Sequence, residues 1–137
     1  MTAGLNPQEA MFVDAARVAY LATVYPAGGP HVAAICPALD GDVIVLATTT
    51  DAVKVRNLRA NPAASIAFVN YSEDWDAIQH VIVFGSATVV DSGPRFARIR
   101  EVLYGTFPQY GRDEVIEEGV SACIEIQIER VVSMGFE

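Results

Sequence analysis

The segment between residues 123 and 132 constrains the fold more strongly than any other part of this chain. From position 124 to position 129, three isoleucines alternate with a glutamate, a glutamine and a second glutamate. Side chains that alternate with a period of two indicate a β-strand with one buried face. Five earlier segments have strand-like composition and are bounded by turn residues. The six predicted strands cover residues 19–25, 30–38, 43–48, 64–71, 79–90 and 123–132.

Three short helices are predicted around these strands. Asn6 and Glu9 have the spacing of a capping box, which predicts a helix at the start of the chain. A second helix is predicted over residues 52–60, because the position before Pro62 disfavours helical backbone. A third is predicted over residues 92–104, where apolar residues share one face.

Long strands in so short a chain must close or pair to remove their edges. We therefore expect one mainly β domain over residues 1–137, a small six-stranded antiparallel barrel with two to three short helices. Gly85, inside the longest strand, predicts a bulge. Apolar residues also fall outside one strand face. They indicate a second buried surface, which is most simply a homodimer interface; the alternative is a monomer whose own helices cover both sheet faces.

Composition excludes several classes of function. The net charge of −8 and the pI near 4.6 argue against nucleic acid as a partner. No apolar run is long enough to span a membrane, and the N-terminus does not resemble a signal peptide. Cys36 and Cys123 are far apart and are predicted to be two buried free thiols of a cytoplasmic protein. No Cys/His spacing predicts a metal site.

The only lysine of the chain, Lys54, follows a run of three threonines and begins a helix with two further cations. Hydroxyls of Thr48 and Thr49, free amides at a helix start and one ammonium group could together seat a phosphate. Lys54 is expected to be exposed. The alternative is a helix face that simply contacts water. Asp51 would repel a phosphate and is instead a candidate helix cap.

An ordered set of short motifs resembles one known family over roughly residues 10–133. The motifs are Leu-Ala-Thr-Val at 21–24, Gly-Pro-His-Val at 29–32, Asp-Gly-Asp at 40–42, Val-Leu-Ala-Thr at 45–48, and the run K-x-R-N-L-x-x-N-P at 54–62. The last of these is the most specific. Together they are similar to the pyridoxamine-phosphate-oxidase-like split barrels.

This resemblance implies a six-stranded split β-barrel homodimer that binds FMN, or in some branches the deazaflavin coenzyme F-420, in a groove at the dimer interface. Lys54 matches the phosphate-binding lysine, and His80 matches a glutamine that touches the flavin in the oxidases. The second strand matches the segment whose backbone faces the flavin ring. The remaining positions that match cofactor contacts are Ala33, Ala34, Ile35, Cys36, Ala47 and Thr48.

Three departures from the oxidases make oxidation of pyridoxamine phosphate an unexpected activity. Ala33 stands where the oxidases carry an arginine, and Val53 stands where they carry a basic residue. The chain ends at Glu137 without the arginine and histidine segment that holds pyridoxal phosphate. Arg56 is a candidate substitute for one missing cation, although it points away from Lys54 on a helix.

Several side chains have two readings. His80 is suited to proton transfer near neutrality, or is a half-buried strand residue with one hydrogen bond. Cys36 could touch the flavin ring, or be a small core residue. Trp75 could cover a groove, or anchor a loop. Three aromatic residues either line the same groove or pack on the third helix: Tyr104, Phe107 and Tyr110.

The sequence thus favours an FMN-dependent oxidoreductase that passes hydride through flavin N5 to or from an unidentified small molecule. No side chain is assigned a catalytic role, because no nucleophile triad, carboxylate pair or Rossmann phosphate loop is present. Three alternatives stay open. They are an F-420-dependent reductase, a non-catalytic flavin- or haem-binding carrier or sensor, and a dimeric barrel without a cofactor.

Overall fold

A computed structural model describes residues 4–136 of the chain. Seven antiparallel strands form one sheet in the order β2-β1-β5-β6-β7-β4-β3. The helices are α1 (Pro7–Ala15), α2 (Val53–Ala60) and α3 (Gly93–Thr106), with a short 3₁₀ turn at Trp75–Ala77. The strands are β1 (Ala19–Val24), β2 (Pro30–Ile35), β3 (Ala38–Asp40), β4 (Val43–Thr49), β5 (Ala63–Asn70), β6 (Gln79–Val90) and β7 (Ser121–Met134).

The predicted second strand, residues 30–38, is two strands in the structure. β2 pairs with β1 at one edge of the sheet, whereas β3 pairs with β4 at the other edge. Pro37 lies between them and has no amide proton to donate to a ladder, so the strand is interrupted there. The chain therefore crosses from one sheet edge to the other within two residues. This gives a sheet that curls into a barrel but does not close, and it confirms the split barrel with seven strands instead of six.

The two longest strands, β6 and β7, contain the bulge predicted at Gly85. Their register shifts between Phe84 and Gly85. A Cβ atom at position 85 would lie 1.9 Å from the carbonyl oxygen of Gln127. Glycine is therefore required here by the close approach of the opposite strand.

Two groups of buried side chains stabilise the fold. The barrel interior is filled from the strands and from α2, and its largest fully buried residues include Leu21, Ile66 and Phe68. A second group lies between α3 and strands β3, β4 and β7; we call it the α3 core. Phe96, Leu103 and their neighbours are fully buried there.

The start of α1 is the one predicted from the sequence, whereas the start of α2 differs from the prediction. In α1, the Glu9 amide donates to the Asn6 side chain at 2.8 Å and the Asn6 amide donates to the Glu9 carboxylate at 2.9 Å, which confirms the capping box. Asp51 does not cap α2. The N-cap is Ala52, which makes no side-chain hydrogen bond, and the helix begins one position later than an Asp51 cap would place it.

The two thiols differ in environment. Cys123 is buried in the α3 core, and burial raises the pKa of its thiol to about 11. Cys36 is exposed, which corrects the prediction that both thiols are buried. The reason is the strand break, because Cys36 lies in the crossing between β2 and β3 and not within a covered strand.

The outer face of the sheet is apolar and uncovered. One row of paired residues crosses five strands, from Ala34 through Tyr20, Ala67 and Ile82 to Val132. Tyr20 is 48% exposed and Val132 is 41% exposed. We call this surface the outer face.

Within residues 4–136 no helix combines the length and the apolar character needed to cross a membrane. In the same part of the chain no three metal-ligating side chains come together. The cytoplasmic location stays a prediction.

Candidate functional site

Most of the K-x-R-N-L-x-x-N-P run has a structural role. Val55 and Leu58 are buried against the barrel interior. Asn57 is also buried, and its amide donates to the hydroxyl of Thr23 on β1 at 3.0 Å. This bond ties α2 to the barrel, since a buried amide or hydroxyl without a partner is costly. Of the two cations of the run named in its motif, Lys54 and Arg56, Lys54 is the one that faces a cavity.

Lys54 lies on the first turn of α2 and is half-buried. The prediction that it is exposed is therefore wrong. It lines a cavity of about 240 Å³, which we call the Lys54 compartment. Within residues 4–136 its ammonium group forms no ion pair, and burial lowers the pKa of Lys54. A bound anion would oppose that shift. The other wall residues of the Lys54 compartment are Val18, Ala34, Ile35, Cys36, Ala47 and Tyr110.

The neighbouring arginines do not assist Lys54 in this chain. Arg56 is exposed on α2, and it does not line the Lys54 compartment. Arg59 forms a surface ion pair with Asp91 at 2.8 Å. The cationic character of the compartment therefore comes from one ammonium group.

A second cavity, of about 350 Å³, adjoins the first and shares Ala47 and Tyr110 with it. We call it the Glu114 compartment. It lies between the end of β4 and the segment that connects α3 to β7. Its other wall residues are Thr48, Thr49, Glu114, Val115, Ile116, Val120 and Ser121.

Tyr110 forms the wall shared by the two compartments. Its ring stacks on Tyr104, with 5.8 Å between centroids and 17° between planes, and it meets Phe107 edge-on. The Tyr104 hydroxyl in turn accepts from the Ile116 amide at 3.0 Å. Burial raises the pKa of Tyr110, so its phenol stays protonated at neutral pH. Of the three aromatic residues left open by the sequence, Tyr110 lines both compartments and the other two belong to the α3 core.

The structure brings together most of the residues predicted to bind the cofactor. Five of the nine line the Lys54 compartment: Ala34, Ile35, Cys36, Ala47 and Lys54. Thr48 and Thr49 line the adjoining compartment. Ala33 and His80 line neither. Ala33 pairs with Leu21 on β1, and His80 is half-buried between Val69 and Met134 on the outer face.

Trp75, Glu114 and Ser121 are not among the nine residues predicted to bind the cofactor. Trp75 is 74% exposed, with its indole 3.4 Å from the Tyr71 hydroxyl, so it is not a partly buried loop anchor. Glu114 and Ser121 were not found from the sequence. They lie in or beside residues 105–119, where no periodicity or motif marks a functional residue.

Comparison with known proteins identifies the family. The chain matches the family model described as pyridoxamine 5'-phosphate oxidase over residues 5–134. The chain therefore belongs to the pyridoxamine 5'-phosphate oxidase family, as its motifs indicated. No curated protein matches the sequence at a significant level.

Solved structures with the same fold carry different descriptions. A haem-binding protein from Mycobacterium smegmatis is 26% identical, with a TM-score of 0.78 over 96% of this chain and 55% of that protein. HutZ, the haem storage protein from Vibrio cholerae, is 19% identical, with a TM-score of 0.82 over 99% of this chain and 97% of that protein. An F420 reductase is 23% identical, with a TM-score of 0.70 over 93% of this chain and 98% of that protein. The last two similarities show the fold alone.

Proposed function

We propose that this protein binds FMN in the Lys54 and Glu114 compartments and acts as a flavin-dependent oxidoreductase on a small molecule. The observation that carries the proposal is the position of Lys54. Its half-buried ammonium group shares a cavity with the backbone of residues 34–36, the segment that the family resemblance assigns to the flavin ring.

The residues present fit FMN in size and charge. The two compartments have volumes of about 240 and 350 Å³ and share a wall. Taken together they fall within the range of roughly 300–1,000 Å³ for small-molecule sites. Lys54 would hold the phosphate by a charge-assisted hydrogen bond. Thr48 and Thr49 are better suited to the uncharged part of FMN, because their compartment also contains the carboxylate of Glu114.

The protein contributes binding and orientation to this function. Hydride transfer through N5 is the chemistry that flavin supplies when bound. Ala34, Ile35 and Ala47 provide a small, largely apolar wall that a planar ring can approach closely. Tyr110 is held by its stacking on Tyr104 and contributes its aromatic ring to the walls of both compartments. No described side chain in the two compartments is assigned as a general base.

We also propose that two copies of the chain associate through the outer face. A contiguous apolar surface of this kind on a soluble protein is typical of an interface. Ala34 belongs both to the outer-face row and to the wall of the Lys54 compartment. A second copy on this face would therefore border the cofactor site. His80 lies on the same face, so it stays a proposed cofactor contact, made across the interface. Ala33 stays proposed as a backbone contact beside Ala34.

Replacing Lys54 with alanine is expected to raise the dissociation constant for FMN by about tenfold to a hundredfold. This corresponds to the roughly 1.5–3 kcal/mol of a hydrogen bond to a charged group. Quenching of flavin fluorescence on titration measures the constant. Riboflavin, which lacks the phosphate, should bind the wild type and the Lys54→Ala variant equally well.

Arg56→Ala is the matched control, because it removes the same charge from an exposed position two residues away. Its dissociation constant for FMN should stay within about twofold of the wild type. The assignment of Lys54 is wrong if Lys54→Ala and Arg56→Ala bind FMN with the same affinity.

Replacing Tyr20 with glutamate is expected to dissociate the proposed dimer. The carboxylate would be placed within the apolar row of the outer face, where association would have to desolvate it. Analytical ultracentrifugation should show the wild type near twice 14.7 kDa and the variant near 14.7 kDa at the same concentration. Met11→Glu adds the same charge at a 74% exposed position on α1 and should remain dimeric. A wild type that sediments as a monomer would contradict the proposal.

Haem is the second candidate ligand. The 26% identical M. smegmatis protein is described as haem-binding, and exposed Cys36 lies beside a largely apolar recess of about 170 Å³ whose wall includes Phe107 and Tyr110. Thiolate is a known haem ligand. The absorption spectrum of the purified protein separates the candidates. Flavin gives two visible bands, deazaflavin gives one, and haem gives a sharp Soret band.

A further inference from the structure

The two compartments of the site have opposite charge. Lys54 is the charged residue in the wall of one compartment, and Glu114 is the charged residue in the wall of the other. Tyr110 and Ala47 belong to both walls. A molecule that enters this groove therefore meets an ammonium group on one side of Tyr110 and a carboxylate on the other.

The backbone of Glu114 is fixed relative to Tyr110. The two residues form an isolated β-bridge, and the Gly111 amide donates to the Glu114 carbonyl. Arg112, the nearest cation in the sequence, is paired with Asp113 at 3.1 Å. Within residues 4–136 Glu114 takes part in no ion pair, so its charge is available to a ligand.

The remaining wall of the Glu114 compartment is uncharged. It combines the hydroxyls of Thr48, Thr49 and Ser121 with three aliphatic side chains. The phenol of Tyr110 adds a hydrogen-bond donor and an aromatic ring, to which a cation is attracted. This lining suits a flat organic molecule with a polar edge, and it disfavours a carboxylate or a phosphate.

We infer that the substrate enters the groove from the Glu114 compartment, next to the uncharged part of FMN, and that this side of the groove selects flat neutral or cationic organic molecules over anions. The inference rests on the proposed function, because it assigns the Lys54 compartment to the anionic end of the cofactor. It also accounts for the expectation that pyridoxamine phosphate is not the substrate. Glu114 and Tyr110 are then the residues that determine specificity.

Three probes of the same size and different charge test this inference: benzamidine, benzamide and benzoate. Each is titrated into the ¹⁵N-labelled chain without added cofactor, and backbone amide shifts locate the binding. Benzamidine and benzamide should shift the amides of Thr49, Glu114 and Ser121. Benzoate should shift those of Ile35 and Lys54 instead, and should bind the Glu114 compartment at least tenfold more weakly than benzamidine.

Glu114→Gln should reduce the preference for benzamidine over benzoate at least fivefold. The matched control is Glu117→Gln, which removes the same charge from the same segment, because Glu117 is exposed and does not line either compartment. Its preference should equal that of the wild type. Equal effects of the two substitutions would assign the selection to net charge and overturn the inference. Benzoate that binds the Glu114 compartment as well as benzamidine does would also overturn it.

FMN titration of the same samples separates this result from the proposed function. Binding of FMN together with equal binding of the three probes would overturn the inference and leave the flavin assignment standing. Charge selection by the probes without any FMN binding would overturn the flavin assignment and support Glu114 and Tyr110 as the determinants of ligand charge.

Discussion

Replacing Gly85 with alanine is expected to lower the free energy of unfolding by about 3 kcal/mol. The new methyl group would lie 1.9 Å from the carbonyl oxygen of Gln127, and that atom belongs to the backbone of β7. It cannot move away as a flexible side chain would. The strands must separate at the bulge, and ladder hydrogen bonds between β6 and β7 would be lost or stretched. Urea unfolding followed by circular dichroism measures the change.

Gly105→Ala is the matched control for this experiment. Gly105 lies within α3, and a Cβ atom there would have no neighbour within 4 Å. Alanine in a helix is favoured over glycine, so this variant should be more stable than the wild type by about 0.5–1 kcal/mol. If Gly85→Ala costs less than about 1 kcal/mol, β6 and β7 do not approach each other as closely as the structure shows.

Local patterns in the sequence were sufficient for most of the elements. The alternation in β7, the capping box of α1 and the proline that follows α2 each depend on residues that are neighbours in the chain. The bulge at Gly85 was predictable for the same reason, since a glycine inside a long strand is itself the signal. These features need no knowledge of which strands are partners.

Pairing between distant segments was not predictable in the same way. The split of residues 30–38 into β2 and β3 depends on which strands lie at the two edges of the sheet. Pro37 interrupts the strand, but only the pairings with β1 and β4 show that the two halves belong to opposite edges. The exposure of Cys36 follows from that arrangement, and so it was wrongly predicted.

The candidate site likewise contains residues that local sequence patterns predicted and residues that only the pairing of distant segments brings into place. Lys54 was found because a solitary lysine in an acidic chain is conspicuous and because the run that contains it resembles a known motif. Its burial could not be predicted, since the other walls come from β2, β4 and the segment after α3. Glu114 had no signal in the sequence. Its importance comes from a cavity between the end of β4 and the segment that precedes β7, and these parts of the chain meet because the distant strands β4 and β7 are paired.

Replacing Phe96 with alanine is expected to lower the free energy of unfolding by about 3–5 kcal/mol. Phe96 is fully buried in the α3 core, and its ring also lies 5.7 Å from the Arg100 guanidinium. Truncation would leave a cavity between α3 and β4, which the rigid strand cannot fill. Phe96→Leu keeps most of the volume and should cost about 1 kcal/mol. Urea unfolding gives both values.

The same substitution tests whether the α3 core supports the candidate site. Tyr104 and Phe107, which hold Tyr110 in place, belong to the α3 core. The measurement is made under conditions in which Phe96→Ala remains folded. The near-UV circular dichroism of its tyrosines should then decrease, and benzamidine should bind to Phe96→Ala more weakly than to Phe96→Leu. Val115→Ala is the control, because Val115 is 58% exposed in the segment that connects α3 to β7. It should leave the free energy of unfolding within about 0.5 kcal/mol of the wild type. If Phe96→Ala and Phe96→Leu unfold at the same urea concentration, α3 is not packed against β4 as described, and the wall formed by Tyr110 loses its support.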